Sequence, residues 1–132
     1  MRWLKPLFKI IFFCCLVGTS QMSLAAPPAN RPWTGAGGDS NWTTVGNWGA
    51  GVPTATNHLA TFGPLPVNRA VTLDHEEQIY GLSFTDGGYT FDFAGNALTL
   101  GTADAALYQI DNQSTGTQTF NVGAGRLTLY LA

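Results

Sequence analysis

Short apolar runs, each closed off by Gly, Asn or Asp and none patterned like a helix, constrain this chain more than any other feature. They fall at residues 70–73, 78–84, 89–93, 97–100, 106–110, 117–122 and 126–132, with a weaker run near 59–62. Tyr89, Phe91 and Phe93 alternate with Thr90 and Asp92, which predicts a strand with one face in a core and one in water. A weak repeat underlies the runs. The string Ala94-Gly95-Asn96-Ala97-Leu98-Thr99-Leu100 returns as Ala124-Gly125-Arg126-Leu127-Thr128-Leu129, and Val71-Thr72-Leu73 reads as a fainter earlier copy, at spacings of 27 and then 29 residues. A drifting period of this size predicts an all-β fold of stacked turns, a β-solenoid. An antiparallel β-sandwich is the alternative, because evenly spaced short strands suit it too.

The chain opens with Arg2, Lys5 and Lys9, an apolar run at 10–17 and the small residues Ser23 and Ala25, the three parts of a secretory signal peptide over residues 1–25. The run is too short to cross a bilayer, so no transmembrane helix is expected in the processed chain. Cys14 and Cys15 both lie in this leader, so no disulfide, thiolate metal site or cysteine nucleophile remains after it. Beyond it, Arg31, Arg69 and Arg126 face eight acidic residues, leaving about five net negative charges. Scattered arginines without lysine do not build a phosphate-binding surface, so nucleic acid is not an expected partner. Residues 26–32, with three prolines, read as an extended linker that resists both helix and central strand.

Residues 33–62 form a block rich in Gly, Asn and Trp. Trp33, Trp42 and Trp48 lie within sixteen positions, and each large ring can be buried while its N–H meets a carbonyl. That suits a cap over the first turn of a stack, which has no neighbour on one side. Asn41 and Asn47 precede two of the indoles and suit tight turns. The competing use of the same residues is carbohydrate binding: Trp33, Trp42 and Trp48 as stacking faces, with Asp39, Asn41 and Asn47 on sugar hydroxyls. A platform needs coplanar, exposed rings, whereas a cap buries them.

The order Trp33, a Gly-rich turn, Trp42, Asn47-Trp48, Pro53 and Phe62 resembles the N-terminal motif of bacterial autotransporter-associated β-strand repeat proteins. Tyr80-Gly81-Leu82-Ser83-Phe84, Gly87-Gly88-Tyr89-Thr90 and the stretch 114–120 resemble that family's strand repeats. The resemblance implies a right-handed parallel β-helix at the cell surface or outside a Gram-negative-type bacterium, with residues 63–132 as its repeats. Such passengers are often followed by an outer-membrane barrel or a sorting anchor. Neither is present, and the run 129–132 carries no polar cap, so a truncated passenger is the expectation.

Catalysis finds little to stand on. Asp74-His75-Glu76-Glu77 alternates across a strand and reads as a solvated turn rather than a metal site. Asp86, Asp92, Asp104 and Asp111 could pair as glycosidase carboxylates, but no basic cluster accompanies them. The Gly-rich 35–38 stretch lacks the lysine of a phosphate loop. The sequence therefore predicts a non-catalytic structural or adhesive module without cofactor or metal, whose partners are surface glycans or extracellular proteins.

Overall fold

The structure is a computed structural model that describes residues 26–101 and 110–130. The predicted signal peptide, most of the predicted 106–110 strand and the last two residues lie outside the described residues. The described chain is all-β, and its helical content is a single 3-10 turn at Val45–Asn47. Ten strands follow in order: β1 (Ala29–Pro32), β2 (His58–Phe62), β3 (Ala70–Thr72), β4 (Glu77–Ile79), β5 (Gly81–Phe84), β6 (Thr90–Asp92), β7 (Ala97–Leu100), β8 (Ile110–Asn112), β9 (Thr119–Asn121) and β10 (Arg126–Leu129). No described helix is long and apolar enough to cross a membrane.

From β2 onward the strands recur in threes, and from β5 each pairs in parallel with its counterpart one set earlier. Three sheets result: β1-β2-β5-β8, β3-β6-β9 and β4-β7-β10. All the ladders between these strands are parallel, so the antiparallel pairing that a β-sandwich requires is not what this chain uses. Local chemistry explains the alternation. Ala60 and Phe62 of β2, Leu82 and Phe84 of β5, and Leu98 and Leu100 of β7 point into one shared core, while Leu59, Thr61, Ser83 and Thr99 between them do not. Each such buried Leu or Phe side chain contributes roughly 1.5–3 kcal/mol. Parallel register also stacks like on like: Phe62 lies on Phe84 with centroids 4.9 Å apart, and Phe91 on Phe120 at the same 4.9 Å.

The strand at 89–93 behaves as its sequence predicts, with Tyr89, Phe91 and Phe93 buried and Thr90 and Asp92 exposed. The 29-residue repeat is also physical, because Leu98 pairs with Leu127 and Leu100 with Leu129 in one ladder. Its fainter copy is not. Val71 and Thr72 pair with Phe91 and Asp92 in a different sheet, while Glu77 stands opposite Leu98. The predicted single strand over 78–84 is likewise two, β4 and β5, because the chain turns at Tyr80, whose N–H donates to His58 O at 2.9 Å.

Residues 29–32, expected as linker, form the edge strand β1 on β2. The N–H groups of Ala29 and Trp33 donate to Asn57 and Thr61 carbonyls, so the groups of positions 28, 30 and 32 face away from the sheet. Two of those are prolines, whose missing donors cost nothing there. One close approach fixes a loop stack: a Cβ on Gly87 would sit 2.4 Å from Gly116 Cα, so both positions need glycine.

Candidate functional site

The Trp block lies at the end of the molecule where β1 and β3 are edge strands. Residues 40–42 extend the second sheet past β3: Trp42 N–H donates to Thr72 O at 2.8 Å and Thr72 N–H to Ser40 O at 2.7 Å. Trp33 continues β1, donating to Thr61 O, and bridges antiparallel to Trp48.

Trp33, Trp42 and Trp48 are 4 %, 0 % and 5 % exposed. Their N–H groups donate to carbonyls of Asn68 at 2.7 Å, Pro53 at 3.1 Å and Trp42 at 2.7 Å, which keeps ring burial from stranding a donor. Trp48 is the hub. It meets Trp33 and Trp42 edge-on, at interplanar angles of 80° and 66°, and Phe62 at 6.0 Å, linking the block to the common core. A stacking platform would need open, coplanar faces, whereas these rings are enclosed and set at steep angles to one another.

Asp39, Asn41 and Asn47 do come together, around one another. Asn47 is fully buried, the one polar or charged residue so enclosed among the described residues. Its amide oxygen accepts from Gly37 N–H at 2.8 Å, and its amide nitrogen donates to Asp39 Oδ1 and Asn41 O, both at 2.9 Å. Its backbone carbonyl accepts from Thr34 N–H at 2.7 Å. Asp39 also accepts from Asn41 N–H at 3.0 Å and Thr44 Oγ1 at 2.9 Å. The Asn41 N–H first, then the Thr44 hydroxyl and the Asn47 amide, hold its carboxyl below the ordinary aspartate value. The Asn47 amide nitrogen and both Asp39 carboxylate oxygens thus bond the loop's own backbone and side chains, which locks the turn.

Sequence reasoning missed the tether to the body of the fold. Asp74 accepts from the backbone N–H of Thr43 at 3.0 Å and from its hydroxyl. Burial opposes its ionisation, but the Thr43 hydroxyl and N–H outweigh burial and hold the carboxyl low. Thr43 and Asp74 are 31 residues apart, a separation at which no local signal exists. The neighbouring His75 Nδ1 stands 3.7 Å from Glu77 Oε1, and the described residues contain no convergent set of three metal-ligating side chains. On the outer face of the first sheet, a groove of about 520 Å³ is lined by Asn30, Pro32, Leu59, Thr61, Ser83 and Leu65, with no ionisable side chain.

A pH dependence follows. Asp39 and Asp74 are both held below their ordinary value of 3.8 in the folded protein, so their contribution is whole above that pH and is lost as pH falls through the lowered values. Glu77 is raised by burial and acts in the opposite sense, so the effect is to be read locally. Amide exchange at 37–47 is expected to accelerate below pH 3.8 relative to β6 and β7, and Asp39→Asn to flatten that difference. Uniform acceleration across the chain would refute it.

Compared with known proteins, the chain matches no family model, no curated protein and no solved structure.

Proposed function

We propose that this chain is an exported, non-catalytic structural or adhesive module, the N-terminal, passenger-like part of an autotransporter-type β-repeat protein. In this reading, the recurring sets of three strands are the turns of a right-handed parallel β-solenoid that serves as a stalk. The Trp block is its lid. The carrying observation is that each strand after β4 pairs in parallel with the strand three positions earlier, while the indoles close the end where the first set has no predecessor. Low charge, a neutral Thr, Ser and Asn surface and the leader-like first 25 residues are consistent with a role outside the cytoplasm. Adhesive partners would be extracellular proteins or surface glycans, met by the outer faces of the sheets rather than by the enclosed indoles.

Expression of the full chain in a Gram-negative host, followed by fractionation and intact-mass measurement, tests this. The expected product begins at Ala26 and is found outside the cytoplasm, and Ala25→Leu blocks the cut because the peptidase requires a small residue there. An uncut protein confined to the cytoplasm would overturn the export half of the proposal. Cleavage of any polysaccharide, abolished by substituting Asp86 or Asp92, would overturn the non-catalytic half.

A further inference from the structure

Asn30 and Pro32 of β1 line the groove outside the first sheet, so Arg31 between them points to the opposite side, toward the end of the core. The 51–54 loop closes over it there: a Cβ on Gly51 would lie 3.4 Å from Arg31 Nη1. Arg31 Nε is enclosed without a hydrogen-bond partner, and no carboxylate pairs with this arginine among the described residues. The one side chain it meets is His58 at the start of β2, whose Nε2 lies 2.9 Å from Arg31 Nη2. The other ring nitrogen, Nδ1, faces Thr54 N–H at 3.1 Å. Both ring nitrogens are therefore turned toward donors. A neutral imidazole has one bare nitrogen and satisfies one of them at a time, and an imidazolium has none.

We infer that His58 is a proton-operated latch: uptake of one proton by the ring releases Arg31 and Thr54 together, and with them β1 and the 51–54 loop. Protonation sets two cations N–H to N–H and leaves a half-buried guanidinium without its one side-chain partner. Two segments hang on the pair. β1 is an edge strand whose ladder is with β2, in a register that begins at Ala29 opposite His58. The 51–54 loop supplies Pro53 O to the Trp42 indole, so loosening it reaches the Trp block.

The surroundings set the direction. From β1 the ring meets Arg31, and from its own turn the uncharged Thr54 backbone. Tyr80, at the corner before β5, meets His58 through its backbone N–H. β4 also packs on β2, but its Glu77 has His75 as its ionic neighbour, at 3.7 Å. Burial first, then the Arg31 charge, hold the ring below the ordinary histidine value of 6.5. A lowered value means that the contribution of His58 to stability is whole above pH 6.5 and is lost as pH falls through the lowered value. That loss begins above the pH at which Asp39 and Asp74, both held below 3.8, take up protons.

Hydrogen exchange on the full chain between about pH 7 and pH 4, corrected for the intrinsic pH dependence of exchange, tests the latch. Protection of the Ala29 and Trp33 amides and of the Trp42 indole should fall several-fold, while that of β6 and β7 holds. His58→Gln keeps an acceptor but takes up no proton, so it should remove the fall, and His75→Gln should keep it. The ring-proton resonances of His58 give a reading that needs no variant at this site: their midpoint is expected below 6.5. A midpoint at or above that value would overturn the proposal. So would constant protection in the unsubstituted chain, a fall that persists in His58→Gln or vanishes in His75→Gln, or one equal throughout the chain.

Discussion

Trp42→Ala is expected to destabilise the protein by about 3–5 kcal/mol, the range for emptying a fully enclosed aromatic site. Trp42 is 0 % exposed, its ring lies 4.8 Å from Trp48, and its N–H satisfies Pro53 O. Collapse cannot fill the hole, because Trp48 is anchored to Trp42 O through its own N–H and to Phe62 through its ring. A domain of this size has a total stability of roughly 5–15 kcal/mol, so about a fifth of it or more is at stake. The thermal midpoint should fall by on the order of 15–30 °C. Trp42→Phe should cost less, because it keeps most of the apolar surface and strands only the Pro53 carbonyl, at about 1–3 kcal/mol. A Trp42→Ala melt within a few degrees of wild type would mean the ring is not packed as described.

The second large effect is expected at Asn47, where shape matters less than hydrogen bonding. Asn47→Leu keeps the branched shape with added bulk, yet removes the partner of Gly37 N–H, of Asn41 O and of one side of the exposed Asp39. Stranding a buried group costs about 1–3 kcal/mol, and with Asp39 and Gly37 open to water a loss in that range is expected in urea unfolding at neutral pH. Asn47→Asp separates charge from size. It keeps an acceptor for Gly37 but sets a second carboxylate against Asp39, where the native amide nitrogen stands 2.9 Å away. Its deficit relative to wild type should shrink as acid protonates one member of the pair. A deficit that is constant with pH would show that Asp39 and Asn47 do not meet.

Several elements were legible because their signals are local. Apolar and polar residues alternate over 89–93 since a strand exposes successive side chains to opposite faces, and that period needs no tertiary knowledge. β7 and β10 were legible as a repeat because the chain between them closes one circuit of the three sheets, so equal spacing means equal position. Burial of the indoles was one of two readings their chemistry allowed, and a sequence carries no solvent. The miss at 71–73 has a plain cause. Adjacent sets differ in loop length, with offsets of 20 residues between β3 and β6 but 29 between β6 and β9. A fixed period then slides a similar tripeptide onto the wrong sheet. Tyr80 failed for a related reason: an apolar run has no punctuation where a corner is held by a distant carbonyl, here His58 O.

Composition and period by themselves determined that this chain builds strands, which of their residues face a core, and that the Trp, Asn and Asp residues of 33–48 work as a unit. Each rests on side-chain size, polarity and the two-residue pleat, all written in neighbouring positions. Only the tertiary structure decided that the prolines of 28–32 cap an edge, that Thr43 is tied to Asp74, and that Asp39 and Asn47 spend their polar groups on each other. The first two depend on contacts between segments 29 and 31 residues apart, which loop lengths set and no local pattern encodes, and the third joins positions eight apart that only the folded loop brings face to face.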